Sequence, residues 1–194
     1  MLKKIPNILT IGRIIIVPFF VLAFYLPGFY GDLTAFALFL IASFTDFLDG
    51  MLARMLGEES KLGELLDPIA DKIIVATALI LLVMSGTIKH YEVIAAIIIL
   101  TREILISGLR EFVAKGKIRL PVTNLAKLKT FLQMVAIALL LTGETGNKIL
   151  NFQDYNAQTI GIILLWLSAF LTLYTGYEYL RKGIDHAMSE DNKN

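Results

Sequence analysis

The chain has 194 residues, 56% of them hydrophobic and 18% charged, with a formal net charge of +1 and a mean hydropathy of +0.70. That length holds one domain and hardly two. The charged fraction falls short of the roughly 25% that coats a water-facing surface, so a hydrocarbon-facing surface fits better. The absence of cysteine excludes disulfides, thiolate metal sites and cysteine nucleophiles, and nothing in the charge balance calls for a nucleic-acid partner.

A membrane-spanning helix needs about 20 mostly apolar residues. Six stretches qualify in chain order: Ile8–Leu26, Leu33–Leu56, Leu66–Met84, Tyr91–Leu109, Leu125–Leu141 and Thr159–Leu180. Met1 to Lys4 is basic, but no small-residue cleavage site follows the first stretch, so it is expected to remain. Breakers separate the stretches: Pro27-Gly28 with Gly31-Asp32, Gly57 to Ser60, Ser85-Gly86, Gly116 to Pro121, and Gly143 to Asn156. Segments such as Ile73–Val83 and Val93–Leu100 are apolar all round, which a helix in a soluble bundle would not be. The expectation is an all-α integral membrane protein, a bundle of six transmembrane helices, with residues 1–184 as one domain and 185–194 as a polar, frayed cytoplasmic tail.

Orientation follows from lysine and arginine. The side shared by both termini holds Lys3, Lys4, Arg13, Arg54, Lys61, Lys72, seven basic residues between Arg102 and Lys129, and Arg181, Lys182 and Lys193. The other side holds only Lys89 and Lys148. Both termini are therefore expected in the cytoplasm, with the chain multi-pass in the plasma membrane. Lys115 to Arg119 would attract anionic lipid head groups or simply set topology. His90 and His186 read as surface residues, and Trp166, Tyr174, Tyr177 and Tyr179 as packing and interfacial anchors.

The second stretch ends in Thr45-Asp46-Phe47-Leu48-Asp49-Gly50-Met51-Leu52-Ala53-Arg54, and the third begins near Gly63-Glu64-Leu65-Leu66-Asp67-Pro68-Ile69-Ala70-Asp71-Lys72. Asp46 and Asp49 are i,i+3 neighbours and Asp67 and Asp71 are i,i+4 neighbours, so each pair shares a helix face. The short turn between makes the helices adjacent and antiparallel, and four carboxylates converge. Buried like charges repel, so the array makes sense with cations between them. Oxygen ligands without histidine or cysteine select Mg²⁺, Mn²⁺ or Ca²⁺ over zinc. Gly50 and Ala53 leave a bare strip beside the acids, with Arg54 and Lys61 as phosphate partners. Any single acid would read equally well as solvated or paired, and Asp67 before Pro68 as a helix cap. Four in this register read as a functional site.

The pattern Asp46-x2-Asp49-Gly50-x2-Ala53-Arg54-x8-Gly63-x3-Asp67-x3-Asp71 resembles, at every fixed position, the signature of the CDP-alcohol phosphatidyltransferase family. The resemblance implies a six-helix membrane enzyme, usually a homodimer, that moves a phosphatidyl group from a CDP-linked lipid to an alcohol and releases CMP. It also implies that Asp46, Asp49, Asp67 and Asp71 bind two metal ions, Mg²⁺ or Mn²⁺, with Asp71 also the general base. Asn7, Thr10, Gly50, Ala53, Arg54, Lys61 and Gly63 would then lie on the nucleotide and CDP-lipid side. Asn7 and Thr10 read equally well as a cap on the first span.

The acceptor depends on residues beyond that signature. Arg102, Ile106 and Arg110 form one stripe at i, i+4 and i+8, and Lys127 and Lys129 open the fifth span with Thr130 and Gln133 one turn deeper. Glu103 and Glu111 would pair with some of these bases, or the bases would only set topology. The sharper reading of Arg102, Arg110, Lys127 and Lys129 is a pocket for an acceptor that carries phosphate. Pro6-Asn7-Ile8-Leu9-Thr10 with Arg13, Arg102-Glu103-Ile104 through Arg110-Glu111, and Lys127-Leu128-Lys129-Thr130 with Gln133 resemble the branch of the family that uses CDP-diacylglycerol and sn-glycerol 3-phosphate. Other family acceptors are inositol phosphate, serine and phosphatidylglycerol. A cation transporter would instead carry its acids near mid-membrane and often in paired repeats, which this sequence lacks.

Overall fold

The computed structural model describes residues 5–56, 61–115, 123–150 and 156–191. These residues form seven helices and no strand: α1 (Ile5–Ala23), α2 (Gly28–Leu56), α3 (Lys61–Met84), α4 (Glu92–Lys115), α5 (Asn124–Leu141), α6 (Gly143–Leu150) and α7 (Ala157–Asp191). Each apolar stretch is a helix. Among the described residues, three segments are long and apolar enough to cross a membrane: Gly28–Asp46, Asn124–Leu141 and Ala157–Arg181. Two of the other long helices, α3 and α4, carry charge within their length, which shortens the apolar run. In α3, Asp67, Asp71 and Lys72 precede Ile73–Met84, and in α4, Arg102 and Glu103 follow Val93–Thr101.

The bundle is held by α5 against α7, α4 against α7, and α1 against both α2 and α3. Adjacency of α2 and α3 was expected to join the aspartates directly. The two do touch, but each packs more extensively on α1, which bridges them. The buried core is rich in alanine (Ala42, Ala78, Ala95, Ala96, Ala136 and Ala169) between Phe20, Phe39, Leu79, Leu82, Ile99 and Leu140. Small side chains let helices approach closely where lipid gives no hydrophobic drive. Gly161 of α7 makes the point. A Cβ there would lie 2.8 Å from the side chain of Leu140 on α5, so only glycine permits this crossing. Outward, Phe19, Ile41, Phe44, Ile80, Ile97, Phe131, Leu167 and Phe170 are exposed, an apolar coat suited to acyl chains.

Several boundaries differ from the sequence reading. α2 begins at Gly28 rather than Leu33, and α7 runs to Asp191, so the tail expected to fray continues a helix. The Gly143–Asn156 break contains α6, whose Thr145 hydroxyl donates to Asp32 of α2 at 2.9 Å. Asn147 Oδ1 accepts from the first amide of α7 (Ala157) at 2.6 Å. Pro68 lies inside α3 and not at its start, so Asp67 does not cap that helix. Thr10 lies within α1 and is 1% exposed, which removes its capping role too.

Candidate active site

Charge gathers at the end of the bundle where α1 begins and α2 ends. Arg13 of α1 is 1% exposed and donates through Nη1 to Oδ1 of Asp46, near the end of the α2 span, whose side chain is half exposed. A guanidinium inside a helix bundle needs an anionic partner, and the packing of α1 on α2 supplies one. Asp71 of α3 lies within electrostatic range of Asp46, Arg13, Lys72 and Glu103. Two of the four signature aspartates thus converge, although they stand on different helices. Of Asn7, Asp49, Gly50, Ala53, Arg54, Lys61, Gly63 and Asp67, only the helical backbone is described. Among the described residues no group of three or more metal-binding side chains stands together, and Asp49 and Asp67 lie outside them.

Beside Asp71 a cavity of about 70 Å³ opens between α3, α4 and α5. Glu103 of α4 lines it and accepts from the buried Lys129 of α5. Glu103 also accepts from Arg102 Nη1 at 3.4 Å, so it joins the cavity to a second cluster on the α7 side. There, Arg102 Nη2 donates to Thr175 Oγ1 at 3.0 Å, and Arg110 Nη2 donates to the Tyr179 phenol at 2.9 Å. The guanidinium carbons of Arg110 and Arg102 lie 4.7 and 5.9 Å from the centroid of the same Tyr179 ring. A tyrosine face stabilises cations by its quadrupole and aligns their planes.

The sequence of α7 explains why this cluster forms. Ser168, Thr172, Thr175 and Tyr179 recur on one buried face, giving a polar stripe along an otherwise apolar helix. Gly176 sits within that stripe. A Cβ there would stand 3.2 Å from Arg102 Cγ, so the missing side chain lets the arginine lie along α7.

The structure brings Arg102, Arg110 and Lys129 into one connected group. It does not bring in Lys127, which is exposed and lies on the far side of α5 from Lys129. Sequence reading missed three participants. Arg13 was read as topology-setting and as part of the resembling Pro6–Thr10 stretch, without its partner, Tyr179 as packing and an interfacial anchor, and Thr175 drew no notice. Their partners lie 33, 69 and 73 residues away, beyond the reach of local spacing. Only the oddity of an arginine and a tyrosine facing a helix interior could have marked them.

The fold and site together define a helical membrane protein with an acid-lined cavity beside a cluster of arginines. Residues 3–174 match the family model described as CDP-alcohol phosphatidyltransferase, and the chain belongs to that family. The matched region contains the whole of the Asp46–Asp71 signature. Particular relatives narrow the likeness. The CDP-diacylglycerol–glycerol-3-phosphate 3-phosphatidyltransferase of Rickettsia felis is 42% identical over 179 residues, covering 92% of this chain and 94% of the relative. The enzymes of the same name from Cereibacter sphaeroides and Shigella flexneri are 37% and 38% identical over 217 and 183 residues, covering 96% and 91% of this chain and 98% and 93% of the relatives.

Proposed function

We propose that this chain transfers the phosphatidyl group of CDP-diacylglycerol to sn-glycerol 3-phosphate, giving phosphatidylglycerophosphate and CMP. The observation that carries the reading is the junction at Glu103, where the cavity beside Asp71 meets the Arg102–Arg110–Tyr179 cluster. One acceptor must offer a hydroxyl to a carboxylate and a phosphate to guanidiniums, and glycerol 3-phosphate carries both. The names of the relatives agree with it.

In this reading the acceptor oxygen forms a bond to the phosphorus that bears diacylglycerol, and the bond from that phosphorus to the bridging oxygen of CMP breaks. Asp71 takes the hydroxyl proton as the new bond forms, a role that needs a carboxylate within hydrogen-bond reach of the acceptor. Arg102 and Arg110 hold the acceptor phosphate, with their planes set by Tyr179 and Thr175, and Lys129 adds charge through Glu103. Bidentate arginine suits phosphate, and a prearranged pair loses little freedom on binding. Asn7, Thr10, Gly50, Ala53, Arg54, Lys61 and Gly63 border the nucleotide.

Asp46, Asp49, Asp67 and Asp71 form an all-oxygen donor set that fits two Mg²⁺ or Mn²⁺ ions. Bound there, such ions neutralise diphosphate oxygens and stabilise departing CMP. Arg13 keeps Asp46 in place for that work. The six long helices then span the plasma membrane with both termini cytoplasmic, so that the site meets water-soluble glycerol 3-phosphate while the lipid tails stay in the bilayer. A homodimer is the expected assembly.

An acceptor panel tests the reading. Purified protein receives CDP-diacylglycerol and Mg²⁺ or Mn²⁺ with glycerol 3-phosphate, inositol phosphate, serine or phosphatidylglycerol in turn, and CMP release is followed. Release with glycerol 3-phosphate is expected. Release with inositol phosphate and none with glycerol 3-phosphate would overturn the acceptor assignment.

A further inference from the structure

The polar lining of the cavity beside Asp71 comes from Asp71, Lys72, Glu103, Thr130 and Gln133. Three of these already have partners. Lys72 Nζ donates to the Pro68 carbonyl at 2.8 Å, and the Thr130 hydroxyl donates to the Ala126 carbonyl at 3.0 Å. Glu103 accepts from Lys129 and Arg102. Gln133 differs. It is 3% exposed, and its Oε1 has no hydrogen-bond partner among the described residues. A buried amide oxygen left unpaired is costly, and Gln133 lines the cavity, so an occupant of the cavity is the candidate partner.

Chemistry narrows that partner. A carboxamide oxygen only accepts, so it pairs with an N–H or O–H and not with a phosphate oxygen. Turning the amide over would present its N–H to the same space, but Asp71 and Glu103 line that space and repel an anion. The group that suits both orientations is small, neutral and able to donate and accept. Water and an aliphatic hydroxyl both meet these conditions, and in the proposed reaction the acceptor brings the hydroxyl.

One hydroxyl belongs to Asp71, which takes its proton. A second is left for Gln133. We propose that Gln133 binds the non-reacting hydroxyl of the acceptor, so that the site selects a phosphorylated polyol over an acceptor with a single hydroxyl. The inference rests on the glycerol 3-phosphate reading, in which the 1-hydroxyl attacks and the 2-hydroxyl meets Gln133. It makes Gln133 a specificity-determining residue, distinct from the arginines that hold the phosphate.

The test compares glycerol 3-phosphate with 3-hydroxypropyl phosphate, which keeps the phosphate and the reacting primary hydroxyl but lacks the 2-hydroxyl. Wild type, Gln133→Leu and Gln133→Met are assayed for CMP release from CDP-diacylglycerol, and the ratio of kcat/KM for the two acceptors is taken for each. A partly misfolded preparation loses rate on both acceptors alike, so the ratio reads recognition and not folding. Wild type is expected to prefer glycerol 3-phosphate by roughly 10- to 100-fold, and both variants to reduce that preference to within about threefold, chiefly by losing rate on glycerol 3-phosphate. Equal losses on both acceptors, or a wild type with no preference, overturn the inference and leave the acceptor assignment standing. A wild type that releases no CMP with glycerol 3-phosphate overturns both.

Discussion

The two ends of the bundle solve the same problem in different ways. At the end where α2, α5 and α6 meet, polar groups are mostly neutral and close on one another: Thr145 on Asp32 at 2.9 Å, Gln158 Nε2 on the Thr87 carbonyl at 3.0 Å, and Asn147 on the first amide of α7. At the other end, Arg13, Arg102, Glu103, Arg110 and Lys129 are drawn into the helices, and Gln133 is left with an unpaired oxygen. Short hydrogen bonds between loops and helix ends fasten a bundle at little cost. Buried charges stabilise little after desolvation, and a fold that keeps them does so for another reason. In the proposed reading, the contrast means that the first end fastens the molecule and the second works.

Substitutions at the two ends should therefore separate activity from stability. The largest effect is expected for Asp71→Asn, which keeps the shape and removes the proposed base. Its kcat should fall by roughly 10²- to 10⁴-fold, with CDP-diacylglycerol affinity and melting temperature little changed. Steady-state CMP release and a thermal melt in detergent check both halves. Unchanged kcat would move the base elsewhere.

Next comes Arg110→Ala, which removes one of the guanidiniums on Tyr179. The apparent KM for glycerol 3-phosphate should rise roughly 10- to 100-fold, the value of a charge-assisted contact, with little change in KM for the CDP-lipid. Arg110→Lys should restore little, because an ammonium lacks the planar fork that the phenol and ring align. A selective loss of CDP-lipid affinity would place Arg110 on the donor side instead.

The smallest effect belongs to the fastening end. Thr145→Val keeps the shape and loses the bond to Asp32, so stability should fall by about 1 kcal/mol while kcat and both KM values hold. Thermal and chemical denaturation in detergent read the first and CMP release the second. A loss of turnover with no loss of stability would break the division between the ends.

How much of this was legible in the chain follows the same division. The long helices could be read because each apolar run exceeds what a soluble surface tolerates. The aspartate signature could be read because its spacing is local to two consecutive helices. The stripe of Arg102 and Arg110 was also legible, since positions eight apart on one helix face the same way, and both do meet Tyr179. The partners of those arginines were not, because Tyr179 looks like any aromatic near a membrane interface until α4 is packed on α7. The partner of Arg13 was hidden for a similar reason: its bond to Asp46 joins residues 33 apart, across the packing of α1 on α2. α6 was missed because glycine and asparagine mark a helix of only eight residues, held to the bundle by the bonds of Thr145 to Asp32 and of Asn147 to Ala157.

The central claim is that the charged end moves a phosphatidyl group onto glycerol 3-phosphate. Its most direct test is the transfer of radiolabel from glycerol 3-phosphate into the lipid phase by purified protein with CDP-diacylglycerol and Mg²⁺ or Mn²⁺. Label is expected in the lipid phase in step with CMP release, with both falling by roughly 10²-fold or more when Asp71→Asn replaces the wild type. CMP release that leaves the label in water would contradict the account, because the site would then be cleaving CDP-diacylglycerol without using this acceptor.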